Sequence, residues 1–247
     1  LRLVMDLEAE HMSRLVLRDP QDETEKEVVA NERRYRVEDD VEGSVSEVLW
    51  STAFTRHAYR WPTIGWMKDI ENFNIGDCIE FYRTFYAPNN ATIVAVGDVS
   101  EADLLGGISK AYGVLSPSEL PLEDVAPEPP QTEERRRELE KPTETEKLAV
   151  GYHAPAMGDF DHPALSLLGE VLFGGRASRM HQKLVRELEI ASDVRVFVGP
   201  FRDPGLLEIY ASARGAHTAE ELLSAVDQEL GRVLEEPVSA AEIERAR

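Results

Sequence analysis

The chain has 247 residues, and 27 Lys and Arg against 47 Asp and Glu give it a formal net charge of −20. Hydrophobic residues make up 42% of the chain, which is enough for a hydrophobic core and excludes a disordered or collagen-like protein. The acidity argues against nucleic-acid and anionic-membrane partners, because phosphate groups would be repelled. The single cysteine, Cys78, excludes an internal disulfide and a thiolate metal cluster.

The ends of the chain bear on its localisation. No apolar run approaches the roughly 20 residues of a membrane-spanning helix, so we expect a soluble protein without a membrane partner. The chain begins at Leu1 and ends at Arg247 inside a predicted helix, which indicates a piece of a longer protein. A targeting segment would precede Leu1, so the compartment stays unknown, with cytoplasm and periplasm both open.

The first part of the chain is predicted to be mainly helical. Helical spacing of apolar residues predicts helices over residues 3–17, 22–35, 44–55 and 76–85, and a loop over residues 56–74. The second of these helices carries acidic residues in its first turn, where the helix dipole favours them. Residues 91–96 are apolar and β-branched, which predicts a short buried strand.

Composition changes between residues 116 and 142, where six prolines interrupt a charged segment that we interpret as an interdomain linker. After it, the pattern predicts strands over residues 147–153, 193–198 and 205–211, helices over 163–173, 178–189 and 218–234, and a last helix from Pro237. Gly174 and Gly175 are predicted to end one helix, and Ser178 and Thr218 to cap the next two. Helices and strands mix without strict alternation, so the predicted fold class is α+β.

A helix–proline–helix pattern occurs twice, with Pro20 and then Glu25 near the start, and Pro237 and then Glu242 near the end. The two copies share one offset along the chain, which suggests two related domains. On this interpretation residues 1–115 are the C-terminal part of a first domain, residues 116–142 the linker, and residues 143–247 the N-terminal part of a second. About 75 residues of the first domain would then precede Leu1.

Six short segments match one known family in their order along the chain. They are residues 25–32 (EKEVVANE), 59–65 (YRWPTIG), 81–91 (FYRTFYAPNNA), 96–99 (VGDV), 151–155 (GYHAP) and 172–180 (LFGGRASRM). Together they resemble the pitrilysin/insulinase family of zinc peptidases, the inverzincins, relatives of mitochondrial processing peptidase. The resemblance implies two related domains, each a mostly antiparallel sheet with helices on one face, which close on an unfolded peptide substrate. The peptide would add to an exposed sheet edge.

The resemblance also implies roles for two glutamates. In the family, two histidines four residues apart on one helix flank a general-base glutamate, and a glutamate from a second helix completes the zinc shell. By this motif Glu32 is the third zinc ligand. Glu25 lies seven residues earlier on the same helix face, where it supports the site or orients water. The alternative for both is a solvated helix face, since acids occur throughout this helix.

The histidine pair of the family is missing from this sequence. The six histidines are His11, His57, His153, His162, His181 and His217, and no two of them lie three or four apart. The resemblance places the pair upstream of Leu1. We therefore expect zinc in the intact parent and no metal in this chain alone, because one carboxylate does not hold zinc.

A second departure from the family concerns the substrate-binding pair. Many members carry an arginine and, seven residues later, a tyrosine, which hold the substrate carbonyl or stabilise its oxyanion. Val185 and Ser192 take these positions here, and Arg186 is turned away by about 100°. We hypothesise a zinc-carrying subunit that pairs, as a homodimer or heterodimer, with a family subunit that supplies arginine and tyrosine.

The resemblance thus predicts a zinc metalloendopeptidase that cleaves peptides with metal-activated water, of which this chain alone is an inactive fragment. The alternative is a non-catalytic pseudo-peptidase subunit that scaffolds a catalytic partner, and a third possibility is an unrelated acidic binding domain. His153, His162 and Cys78 are the remaining candidates, and we expect the two histidines to be structural or exposed and Cys78 to be buried.

Overall fold

A computed structural model describes residues 1–122 and 126–247. Their contacts divide them into two compact units, which we call the first unit and the second unit. The first unit holds residues 1–34 and the described residues from Ile64 to 122, and the second holds residues 35–63 and 126–247. Residues 35–63 are therefore grouped with the second half of the chain. The duplication inferred from the repeat stays a prediction.

The described residues form nine helices and three strands. In chain order these are α1 (Arg2–Arg14), α2 (Gln21–Arg33), α3 (Val41–Ala53), α4 (Met67–Asn72), α5 (Ile75–Phe85), α6 (Glu101–Tyr112), β1 (Lys147–Ala154), α7 (His162–Phe173), β2 (Ala191–Val198), β3 (Gly205–Ala213), α8 (Ala219–Glu235) and α9 (Ala240–Ala246). Two π-helical segments lie at Arg34–Glu38 and His181–Glu187, and short 3₁₀ turns lie at Ala58–Arg60 and Pro88–Asn90. The α+β class is confirmed.

The first unit is built from helices that pack in pairs. α1 packs against α6 and α2 against α4. Gly107 on α6 leaves room for the side chain of Met5, which is buried on α1. α5 begins with a capping box, in which Asn74 and Asp77 bond each other's backbone N–H groups.

Two expectations for the first unit and its surroundings need correction. Residues 56–74, predicted as a loop, contain the 3₁₀ turn and α4, whose Ile70 is buried. Residues 91–96, predicted as a buried strand, are extended but pair with no strand in the described ranges, and Val94 and Val96 are 80% and 95% exposed. A strand needs hydrogen-bonding neighbours, and the local sequence cannot supply them.

The second unit is organised around an antiparallel sheet with strand order β1-β3-β2. Successive side chains of a strand point to opposite faces. On β3, Ile209, Ala211 and Ala213 enter the main core, where side chains from α7, the second π-helical segment and α8 pack. Leu206 and Glu208 alternate with them and point to the other face, where α3 lies and Leu206 packs with Phe54.

Helix ends in the second unit follow the sequence signals in two of three cases. α7 ends before Gly174, as predicted, and Thr218 caps α8 in a capping box with Glu221. Ser178 does not cap a helix, because its hydroxyl donates to the carbonyl of Gly175 at 2.8 Å. None of the helices in the described ranges has both the length and the apolar content for a membrane crossing.

Candidate functional site

The predicted zinc ligand Glu32 lies in the last turn of α2. Glu25 is exposed and Glu32 is half-buried. A separation of seven residues is close to two helical turns, so both carboxylates share one face of the helix. Asp22 and Glu23 occupy the first turn, where negative charge is favoured by the helix dipole.

A buried arginine at the end of α2 fixes this helix to the residues just before α4. Arg33 is only 5% exposed, and its guanidinium donates to the carbonyl of Gly65 at 2.8 Å and lies 5.8 Å from the centre of the Trp66 ring. Gly65 has φ +85°, a conformation that favours glycine. Because Arg33 follows Glu32 directly, this clamp sets the direction in which the Glu32 face of α2 points.

A groove of about 400 Å³ lies between α2 and α4 on another side of the helix. The groove is lined by one side of α2, by the residue that follows α2 and by two residues of α4. These residues are Glu23, Lys26, Glu27, Ala30, Asn31, Arg34, Ile70 and Glu71. At 100° per residue, they lie opposite the face of Glu25 and Glu32. The groove is therefore not the place where the predicted ligand would act.

The described residues do not supply a complete donor set for zinc. In the part of the chain that the structure describes, no three His, Cys, Asp or Glu side chains come together as a possible metal site. Glu32 is a suitable ligand type, but a single carboxylate cannot form the four-coordinate shell that zinc takes. The absence of metal from this chain alone and the roles of Glu25 and Glu32 therefore stay predictions.

The residues that the resemblance places at the family's arginine and tyrosine positions make structural contacts here. Val185 is half-buried and packs against the main core, and Arg186 is exposed. Ser192, at the start of β2, donates from its hydroxyl to the carbonyl of Ser212 at 3.2 Å. These side chains pack the core and tie neighbouring strands together.

A buried polar cluster beneath α3 was not predicted from the sequence. Glu208 is 4% exposed on the central strand, and the Tyr210 hydroxyl donates to its carboxylate at 2.5 Å. Burial raises the pKa of Glu208, and hydrogen bonds from Tyr210 and Trp50 offset part of this effect. Burial also raises the pKa of Tyr210, and its bond to Glu208 adds to the rise. The available signal was a glutamate at an inward position of an otherwise apolar strand.

A charged group at the start of α3 continues this cluster toward the surface. Glu42 accepts from Arg195 on β2 at 2.5 Å and from Lys147 on β1 at 3.5 Å. The Arg195 guanidinium lies 5.1 Å from the centre of the Tyr210 ring. The hydrogen bond from Arg195 lowers the pKa of Glu42, so the carboxylate stays ionised. These contacts hold the first turn of α3 over the sheet.

The remaining candidates have structural environments. The buried His162 ring contacts the carbonyl of Gly199 through Nε2 at 3.1 Å. His153 is exposed, and its ring lies edge-on to Phe54 with 5.1 Å between the ring centres. Cys78 is half-buried on α5, where full burial was expected. His162 is thus buried and His153 exposed, and the absence of a functional role for either stays a prediction.

Comparison with protein families settles the classification. A family model described as "Peptidase M16 inactive domain" matches residues 72–247. The chain belongs to the M16 peptidase family. The resemblance to pitrilysin/insulinase-type zinc peptidases is thereby confirmed.

The M16 chain is similar over nearly all of its length to several proteins. It is 28% identical over 249 residues to a protein named zinc protease PqqE from Helicobacter pylori, covering 98% of this chain and 55% of that protein. It is 23% identical over 223 residues to an uncharacterized zinc protease, YmxG, from Bacillus subtilis, covering 90% and 53%. The chain therefore spans about half the length of the curated relatives it matches.

Solved structures agree with this assignment. A protease from Helicobacter pylori superimposes with a TM-score of 0.90 at 28% identity, covering 99% of this chain and 60% of that one. A peptidase M16 inactive domain from Pseudomonas fluorescens superimposes with a TM-score of 0.83, covering 98% of this chain and 58% of that one. The second pair is 22% identical, so the likeness shows a shared fold alone.

Proposed function

We propose that this M16 chain belongs to a zinc-dependent metalloendopeptidase, to which it contributes Glu32 as the third zinc ligand and Glu25 as a supporting carboxylate. The observation that carries the proposal is the half-buried Glu32 on a helix fixed by the clamp of Arg33. The names of the relatives, zinc proteases, support it. Zinc bound in the parent supplies an activated water for peptide-bond hydrolysis. The chain alone is inactive on this proposal.

The proposed partners are an unfolded peptide substrate and a second family subunit. The peptide adds to a sheet edge through main-chain hydrogen bonds. Val185 and Ser192 stand where the family's arginine and tyrosine would be, which supports a partner subunit that supplies them. One relative, 26% identical over 238 residues, is named a probable mitochondrial-processing peptidase subunit beta from Arabidopsis thaliana.

The zinc role is tested on the natural polypeptide that contains this chain, in which we place the histidine pair upstream of Leu1. Bound zinc is measured by elemental analysis, and cleavage with quenched fluorescent peptides. Glu32→Gln is expected to lower both by at least about 100-fold, because a ligand is lost. Glu25→Gln is expected to lower activity about 10- to 100-fold with zinc retained, as for a supporting residue.

The matched control is Glu27→Gln, since Glu27 lies on the same helix but lines the groove on its other side. This variant is expected to keep zinc and activity. A Glu32→Gln protein that keeps both would refute the ligand role. Normal cleavage by the purified polypeptide without any partner would refute the requirement for a second subunit.

A non-catalytic scaffold is the second candidate function, and the description of the matching family model as an inactive domain favours it. In that case the natural polypeptide would bind no zinc, and its addition would increase cleavage by a catalytic family subunit. Glu32→Gln would then leave this stimulation unchanged.

A further inference from the structure

The proline-rich segment of residues 126–141, interpreted above as part of a linker, is bonded to the second unit along its length, and we call it the strap. Its Glu128 carboxylate accepts hydrogen bonds from four donors. One oxygen takes the backbone N–H and the hydroxyl of Thr55, both at 2.7 Å. The other takes the backbone N–H groups of Arg56 at 2.8 Å and His57 at 2.9 Å. Three successive N–H groups thus form a nest around one carboxylate.

A second residue of the strap binds the end of α3. The Arg135 guanidinium donates to the carbonyls of Thr52 at 3.0 Å and Ala53 at 2.8 Å. The last carbonyls of a helix lack partners within the helix and carry partial negative charge. The Arg135 guanidinium therefore binds the carbonyl groups at the end of α3, and the Glu128 carboxylate binds the N–H groups of the residues that follow α3. Phe54, between the two, is fully buried.

An ion pair of the strap with α8 lies at the surface and is weaker. Arg136 pairs with Glu220 at 2.6 Å, but both side chains are more than half exposed. Exposed ion pairs of this kind contribute little, because water and salt screen the two charges. Glu133, a neighbouring acid of the strap, is exposed. Lys141, the last residue of the strap, donates from Nζ to the carbonyl of Glu38 at 2.5 Å. Glu128 and Arg135 are the two residues by which the strap binds the end of α3 and the residues that follow it.

The sequence around Glu128 prepares it for this position. Pro127 and Pro129 flank it, and a residue that precedes proline is restricted to extended conformations. Fixed proline backbone angles reduce the entropy lost when the strap is ordered. Burial alone would raise the pKa of Glu128, but the four donors outweigh it and hold the pKa at about 2. The carboxylate is thus charged whenever the protein is near neutral pH.

We propose that the strap is a preorganised clasp, in which Glu128 fills a carboxylate-binding nest at Thr55–His57 and so keeps the strap and the end of α3 locked together. The segment is then a fixed part of the second unit and not a flexible linker. If Glu128 is removed, the nest is empty, and a small carboxylate such as formate can occupy it.

The test uses trypsin on the 247-residue chain, because Arg135, Arg136 and Arg137 form a cleavage site within the strap. Brief digestion followed by mass spectrometry gives the cleavage rate at this site. Glu128→Ala is expected to raise the rate at least about 10-fold, and 100 mM formate to restore most of the protection. Glu133→Ala is the matched control, and we expect it to behave as the natural chain does with either salt.

Two outcomes would overturn the clasp. One is equal cleavage rates for Glu128→Ala and Glu133→Ala. The other is protection of Glu128→Ala by formate that is no greater than protection by the same concentration of chloride. Should Glu128→Ala fail to fold, Glu128→Gln keeps the shape without the charge, and its rate is expected between those of the natural chain and an unclasped strap. A Glu128→Gln rate equal to that of the natural chain would also contradict the clasp.

Discussion

Glu189 offers a direct test of how backbone conformation limits the stability of the second unit. It has φ 54° and is the non-glycine residue with positive φ in the described part of the chain. It follows the π-helical segment at His181–Glu187, where the N–H of Ile190 donates to the carbonyl of Leu184 at 3.0 Å and closes the turn. A β-carbon in this left-handed conformation costs about 1–2 kcal/mol, which glycine avoids.

The expected gain follows from three contributions. Glycine loses more conformational entropy on folding than glutamate, because its unfolded state is freer, and this offsets about 0.5–1 kcal/mol of the strain that is relieved. The ion pair of Glu189 with Arg214 at 3.8 Å joins side chains that are 67% and 54% exposed, and its loss costs at most about 0.5 kcal/mol. Glu189→Gly is therefore expected to stabilise the protein by about 0.5 kcal/mol. The melting temperature would rise by about 1–2 °C.

Thermal and urea unfolding followed by circular dichroism measure this effect. Glu189→Ala is the first control, since it loses the ion pair but keeps the β-carbon, and it should not gain stability. Glu187→Gly is the second, because Glu187 has helical backbone angles as the last residue of the π-helical segment, where glycine costs up to about 1 kcal/mol. The reasoning is refuted if Glu189→Gly is no more stable than Glu189→Ala.

Three further predictions concern the second unit. The folded pKa of Glu128, about 2, lies below the ordinary value of 4.5, so the stabilisation by its carboxylate is complete above about pH 5 and is lost as the pH falls toward 2. In urea unfolding, Glu128→Gln should therefore lower the free energy of unfolding by about 1–2 kcal/mol at pH 7, allowing for solvent screening, and should have no effect near pH 2. The folded pKa of Glu208 is raised, so this group should lower the free energy of unfolding as the pH rises from 4.5, the ordinary pKa of a glutamate, toward the folded pKa. In the same assay, Glu208→Gln should lose less stability than the natural chain over that pH range. A β-carbon on Gly151 would lie 3.1 Å from Leu49 and 3.3 Å from Leu206, so Gly151→Val should destabilise by about 1–3 kcal/mol in thermal unfolding, and Gly151→Ala by less.

The features predicted well from the sequence are those that local signals decide. Thr218 and Glu221 form the capping box at the start of α8, and residues 205–211, predicted as a strand, lie within β3. α4 was missed because six residues are too few to show a helical period, and its Ile70 is held by packing against α2. Residues 91–96 have strand character, but pairing depends on neighbours that the local sequence does not contain.

The same distinction applies to the candidate site. The shared face of Glu25 and Glu32 follows from their spacing, and the family resemblance assigns their chemistry. The clamp of Arg33 on Gly65 joins residues far apart in the chain, so no local pattern reveals it. The Glu208 cluster was visible as a charge within an apolar strand, but its partner Trp50 becomes known only when α3 is placed over the sheet.

The placement of α3 bears on where the second unit begins. The family model starts at residue 72, and the composition of residues 116–142 suggests a boundary there. However, Leu206 is 1% exposed because Phe54 and its neighbours on α3 cover that face of the sheet. A division within the strap would expose Leu206, and it would separate Glu128 and Arg135 from the backbone groups they bind. A proline-rich, charged composition indicates only that a segment lies at the surface. The burial of β3 on both faces shows that the sheet needs helices on each side, and α3 covers one of them. By that physical criterion residues 35–63 and 126–247 belong to one folding unit, with the strap as the element that joins its two parts.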